Sequence, residues 1–308
     1  MDKRMKGAGG LSRKLLTILV LSAMTTLGYA ADNSIYIDQT GSGATINITQ
    51  DGAGNTVQGL NVNGAKGQRT DAATLNGDNS LVTVTQVGSD NTLSLSTQGG
   101  TAAGASQVTS ITTNTTASNT NTLIKNLGDS NVIGITQTGN QSDVDARITG
   151  NSSGISITSA GAGDTVKAGI IGSDSNINIG LYSTGGSNNV NAQTQGGSIG
   201  IKIDGSNNYV DAQSTGVGND VKIGGYASNS SLVGNDNTLQ IAQNGNGNSA
   251  SIALTGSTNF VGINQANTGV GGQSATVKIS GDSNTVNISQ GVSTIGIQAG
   301  ANFLTPSR

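Results

Sequence analysis

Side-chain amides are the most regularly placed chemical groups in this 308-residue chain. Gln repeatedly closes a phrase that opened on Asn or Ser six positions earlier: Asn33 to Gln39, Ser80 to Gln86, Asn131 to Gln137, Ser187 to Gln193, Asn207 to Gln213, Asn237 to Gln243, Asn259 to Gln265 and Asn284 to Gln290. A primary amide both donates and accepts, so identical amides stacked at strand spacing can bond to one another in a continuous ladder. That chemistry is cohesive. The candidate ladder residues are Gln39, Gln50, Asn55, Gln86, Asn91, Gln137, Gln193, Gln213, Gln243, Asn248, Gln265 and Gln290. A tolerated solvent-facing Gln is the plainer reading, but a constant phase relative to the apolar alternation favours the ladder. For Asn55, Asn91 and Asn248 a turn conformation competes as the explanation.

Other chemistry is thinly supplied. The chain has no His and no Cys, which removes zinc sites, thiolate chemistry, disulfides and a histidine general base. Its acids are all Asp, and Asp78, Asp90, Asp129, Asp174, Asp236 and Asp282 sit beside Gly, Ser or Asn in turn-like stretches without calcium-loop spacing. Gly269-Val-Gly-Gly272 precedes neither a helix nor a Lys-Ser/Thr pair, so it is no phosphate cradle. Tyr36, Tyr182, Tyr209, Tyr226 and Phe260 are too few for a carbohydrate-stacking platform and are expected to pack within or between repeats. The expectation is a protein without cofactor, metal or catalytic residue, and not an enzyme.

The elements that must position the amides are strands. Gly 48, aromatic 2% and a single proline leave little for a conventional core, and a chain rich in Gly, Asn, Ser and Thr but lacking Glu is a poor helix former. Such a composition also fits disorder. Against disorder stands the period-two alternation of Ile35 and Ile37, Ile46 and Ile48, Val82 and Val84, Ile133 and Ile135, and Val286 and Ile288. Gln39 and Gln50 are 11 residues apart and Asn33 and Asn55 are 22 apart, which gives a repeat of two short strands joined by tight turns. A lone hairpin of such strands is marginal in water, so copies must stack. The fold class expected is all-β: a β-solenoid of two-strand, roughly 22-residue rungs over 31–300, about twelve of them, in a column of about 55 to 60 Å. Thr101 to Asn121 and 147–185 fit the pattern poorly, and 301–308 is a non-repeat tail carrying Pro306.

Residues 1–30 read as a secretory signal peptide: five basic residues, the apolar run Leu15 to Met24, then Gly28-Tyr29-Ala30 before a cleavage point at Ala31. The apolar run is short for a membrane anchor, which needs roughly 20 residues. Cleavage would leave nine basic and 16 acidic side chains, net −7. A surface of that sign does not seek nucleic acid or anionic lipid.

The unit Asn237-x5-Gln243-x-Gly245-x-Gly247-Asn248-x-Ala250 resembles the curlin repeat of curli fibre subunits, with Leu254 where that pattern ends on Gln. Gln50-x-Gly52-x-Gly54-Asn55 matches its middle, and Ser80-x5-Gln86-x-Gly88 continues as far as Asn91. The resemblance implies a secreted bacterial protein that stacks end to end on copies of itself into amyloid-like fibres for biofilm matrix and surface adhesion. It also implies a related nucleator subunit and an outer-membrane secretion pore as partners. The chain departs from the family in length, about twice the usual, and in lacking the Gly-rich stretch that precedes the first repeat. A monomeric, capped solenoid adhesin that binds a glycan or surface is the alternative.

Overall fold

The structure, a computed structural model, describes residues 17–22, 32–68, 71–99, 110–182, 186–224, 232–267, 272–291 and 302–303. The expected cleavage point at Ala31, Tyr226 and, apart from 302–303, the tail lie outside them. All described regular elements are strands, arranged in two parallel sheets, here A and B, that face each other. The chain alternates between them. Asn121–Leu127 lies in B, Val132–Gln137 in A, Asp143–Thr149 in B and Gly154–Ser159 in A. Each strand pairs with the one a full circuit later, so Asn121 faces Asp143 and Val132 faces Gly154.

As stacking of the repeats requires, the two strands of a rung lie in different sheets and meet through side chains, while their backbone bonds run to the rungs before and after. Parallel in-register pairing sets like on like and leaves backbone groups unpaired only at the column's ends. Ten two-strand rungs and a final single strand, Thr285–Gly291, are described, stacking to about 50 Å. The described part of the irregular segment 147–185, residues 147–182, folds as ordinary rungs, and Ser110–Thr116 is a regular strand.

Every second side chain of each strand points between the sheets, where Ile46, Leu95, Ile124, Ile177, Val210 and Ile252 belong to one continuous buried core. Outward residues meet solvent. Tyr36, Tyr182 and Tyr209 are among these outward residues and do not pack within a rung, while Tyr182 does meet the next rung, with Lys202 Nζ 5.4 Å from its ring centroid. The reason is phase: Tyr36 sits between the inward Ile35 and Ile37.

The reversals share one signature, Gly-x-x-Asn or its Ser and Asp variants, as in Gly205 to Asn208, Gly234 to Asn237 and Gly256 to Asn259. The first residue has φ near 133° at Gly234 and the third is left-handed, as at Asp236 with φ 56°. A Cβ on Gly234 would be driven into the carbonyl of Gly256 in the next rung, so Gly is required for both conformation and close approach. Asp90, Asp174 and Asp236 hold such left-handed positions. Asp282 works differently, its Oδ1 accepting the Ser257 N–H at 2.6 Å.

Candidate functional site

Two kinds of interior amide ladder run along the column. The first uses the third inward position of a strand. In sheet A, Gln50 Nε2 donates to Gln86 Oε1 at 2.8 Å. The position continues through Thr115 to Gln137, whose Oε1 accepts the Thr122 hydroxyl at 2.6 Å. In sheet B, Gln243 Nε2 donates to Gln265 Oε1 at 2.9 Å, and Gln265 Nε2 to Gln290 Oε1 at 2.7 Å. Each amide also ties the two sheets together, as when Gln265 Nε2 reaches the Ser249 carbonyl at 3.0 Å.

The second ladder stands at the fourth residue of the arcs. Asn91 N–H donates to Asn55 Oδ1 at 3.1 Å, and Thr120 N–H to Asn91 Oδ1 at 3.1 Å. Asn55 Nδ2 meanwhile donates to the Gly88 carbonyl at 2.8 Å. In the other arc, Asn248 N–H donates to Asn219 Oδ1 at 2.8 Å, and Asn248 Oδ1 accepts the Gln273 N–H at 3.0 Å. Each buried Asn thus accepts an amide and gives one to its neighbour. The turn role and the ladder role coincide in one side chain.

Gln193 and Gln213 do not belong to either ladder. Both point outward and are exposed, and Gln213 bonds only to Asp211, at 3.3 Å. The doublets Ser187-Asn188 and Asn207-Asn208 explain the shift. The ladder residues are Asn188 and Asn208, one later than the opening residues the spacing selected, so a Gln six after the first is outward. Asn208 N–H donates to Asn188 Oδ1 at 3.1 Å, and Asn237 N–H to Asn208 Oδ1 at 3.0 Å. Gln39 holds an inward position at the first rung, half-buried, with its Nε2 turned to the Gly41 carbonyl at 3.0 Å. Reading by Gln alone missed Asn131, Asn188, Asn208, Asn219, Asn237 and Asn259. The Gly-x-x-Asn spacing would have found them.

One ladder position is an acid. Asp164 is fully buried, its Oδ1 accepting Asn188 N–H and Nδ2, each at 3.1 Å, and its Oδ2 the Ser159 hydroxyl at 3.0 Å. Burial raises its pKa above the ordinary carboxyl value, while the bonds from Asn188 and Ser159 oppose the rise.

The end rungs present the same face. The strand Thr285–Gly291, which ends the run of rungs, carries Val286, Ile288 and Gln290 inward, in register with Val261, Ile263 and Gln265. The first rung carries Ile35, Ile37 and Gln39 at the corresponding positions, opposite Val57, Ala73 and Leu75. Two further strands lie over these ends. Thr17–Ser22 pairs with all but the last residue of Thr45–Asp51 in sheet A, and Asn302–Phe303 pairs with Val286 and Asn287.

Residues 234–266 match the family model described as the curlin associated repeat. That stretch holds the rung from Asn237 to Thr255 and the strand above it, and so Gln243, Asn248 and Gln265. No curated protein and no solved structure matches the chain.

Proposed function

Starting from a chain that carries a curlin associated repeat, we propose that it is a secreted structural subunit that polymerises end to end into curli-like fibres at the bacterial surface. Its role is structural and not catalytic, in biofilm matrix and adhesion. The observation that carries this reading is the match between the two end rungs. Laying the C-terminal strand of one copy against the first rung of the next sets Val286 beside Ile35, Ile288 beside Ile37 and Gln290 beside Gln39. The ladder then runs on, with Gln290 Nε2 free to turn from the Ser274 carbonyl, 2.7 Å away, toward Gln39 of the next copy. Asn33 N–H meets Asn284 Oδ1 in the way that Asn284 N–H meets Asn259 Oδ1 at 2.8 Å. The strand edge left once Asn302–Phe303 gives up Val286 and Asn287 supplies the drive to associate.

In this reading a related nucleator and an outer-membrane pore are the chain's partners before assembly. Cleavage of the leader before Ala31 removes Thr17–Ser22 from the edge of sheet A and makes the first rung available. Purified 31–308 chain should form thioflavin-binding filaments with a meridional reflection near 4.8 Å, and chain retaining residues 1–30 should elongate more slowly. A persistently monomeric 31–308 protein at high concentration would refute the proposal. It would favour the second reading, a capped monomeric adhesin, which the strand Asn302–Phe303 over Val286 and Asn287 supports.

A further inference from the structure

On the flank of the column, away from both ends, the outward face of sheet B carries a feature that neither stacking nor the ladders use. Of the seven cations among the described residues, Lys125, Arg147 and Lys167 stand on three consecutive strands of this face, and Lys66 reaches over them from the segment 59–68. Lys66 Nζ donates to Asn121 Oδ1 at 2.6 Å, and Arg147 Nη2 to the Gly64 carbonyl at 3.2 Å. Asp143 and Asp145 lie among these cations, and Asp145 accepts from both Nε and Nη2 of Arg147, at 2.7 and 2.9 Å; four cations against two acids leave the cluster net positive in a chain that is otherwise acidic.

Along one outward column the register reads Lys125, Arg147, Gly169, Gln193, Gln213. Gly169 interrupts it. A Cβ there meets nothing within 4 Å, so the missing side chain leaves a notch between Arg147 and Gln193, two strand spacings apart, about 10 Å. The groove around it encloses about 370 Å³, and Ile171, 60% exposed, lies beside it as an apolar patch.

The two walls differ in charge. Lys125 and Arg147 form one; Gln193 and Gln213 form the other, with Asp211 accepting from Gln213 at 3.3 Å. A carboxylate fits the first wall, and hydroxyl groups fit the amides and carboxylate of the second. A ligand charged along its whole length would meet Asp211. We infer that this notch binds a uronic-acid unit of an acidic polysaccharide, the carboxylate at Lys125 and Arg147 and the ring hydroxyls at Gln193, Gln213 and Asp211. In a filament one notch recurs per copy, about every 50 Å, so a long polysaccharide engages many weak sites at once.

The test uses the full chain, freshly desalted, with fluorescein-labelled polygalacturonate fragments, neutral dextran and duplex DNA as probes. Gly169→Gln fills the notch and keeps every charge; Lys125→Gln with Arg147→Gln removes the charge and keeps the notch. Gly134→Gln, at an equally open outward position on sheet A, is the control for a side chain added to a strand. Thermal melts check that each variant folds. Polygalacturonate should bind, with affinity falling as salt rises, and both notch variants should lose at least tenfold while Gly134→Gln does not. Failure of the native chain to bind, undiminished binding by Gly169→Gln, equal loss in Gly134→Gln, or equal binding of dextran or DNA would each overturn the inference. Polymerisation is read separately, because no notch residue lies in an end rung.

Discussion

The first and last thirds of the column build the same kind of ladder on opposite sheets. In the first third the third inward position of sheet A is polar, Gln50, Gln86, Thr115 and Gln137, and in the last third the Gln residues have moved to sheet B, at Gln243, Gln265 and Gln290. Between them the same positions turn apolar, with Ile148 and Ile170 in B and Leu181 and Ile203 in A. An interior row runs as stretches of amide or of apolar side chain joined by Ser and Thr, and which sheet carries the amides matters little. Among the described residues, three of the five buried polar atoms without partners, Thr194 Oγ1, Ser214 Oγ and Gln243 Oε1, lie where the B ladder begins, and the other two, Thr97 Oγ1 and Thr113 Oγ1, lie within the first third. An unpaired buried polar group is destabilising, so the start of the B ladder is locally weakened.

What both regimes share are the arcs, and breaking them should have the largest effect. Gly234→Ala forces a Cβ into the Gly256 carbonyl at a φ of 133° and is expected to destabilise by about 3 kcal/mol or more, measured by urea denaturation. Next comes a direct exchange of regime. Ile203→Gln places an amide between Leu181 and Leu232, where nothing continues its ladder, and should destabilise by about 2 to 4 kcal/mol. The outward Gln213→Ala should change stability by less than about 0.5 kcal/mol.

A smaller effect separates acid from amide within the Asn ladder. Burial holds the Asp164 pKa above its ordinary value of 3.8. Its contribution to stability is therefore full below that value and is lost as the pH rises through the higher folded-state pKa. Asp164→Asn should remove this acid-side gain and stabilise the chain at pH 7 by about 1 kcal/mol, because a neutral amide in that place carries no buried charge. Thermal melts at acid and neutral pH check both statements.

Much of this was legible in the residues. Alternation of Ile, Val and Leu fixed which side chains face inward, and the 22-residue recurrence fixed the rung. Alternation alone is the same whether two strands bond to each other or to their copies, and it is the instability of a lone two-strand repeat that points to the copies. Gln193 and Gln213 were misplaced because an Asn-Asn or Ser-Asn doublet hides which residue enters the arc. Asp164 could not be recognised as a ladder member without seeing Asn188 stacked on it. The basic notch was invisible because Lys125, Arg147 and Gly169 are 22 residues apart in the chain and adjacent only through the register.

Because the chain has no Cys, end-to-end stacking can be read with two introduced thiols. Gln39→Cys and Gln290→Cys chains, each lacking residues 1–30, are mixed, assembled and treated with a short thiol cross-linker. Stacked ends place positions 290 and 39 of neighbouring copies about 4.8 Å apart, and the expected product is a cross-linked pair containing one chain of each kind. Filaments yielding only uncross-linked chains, or pairs of like chains alone, would contradict the continuation of the ladder from one copy to the next.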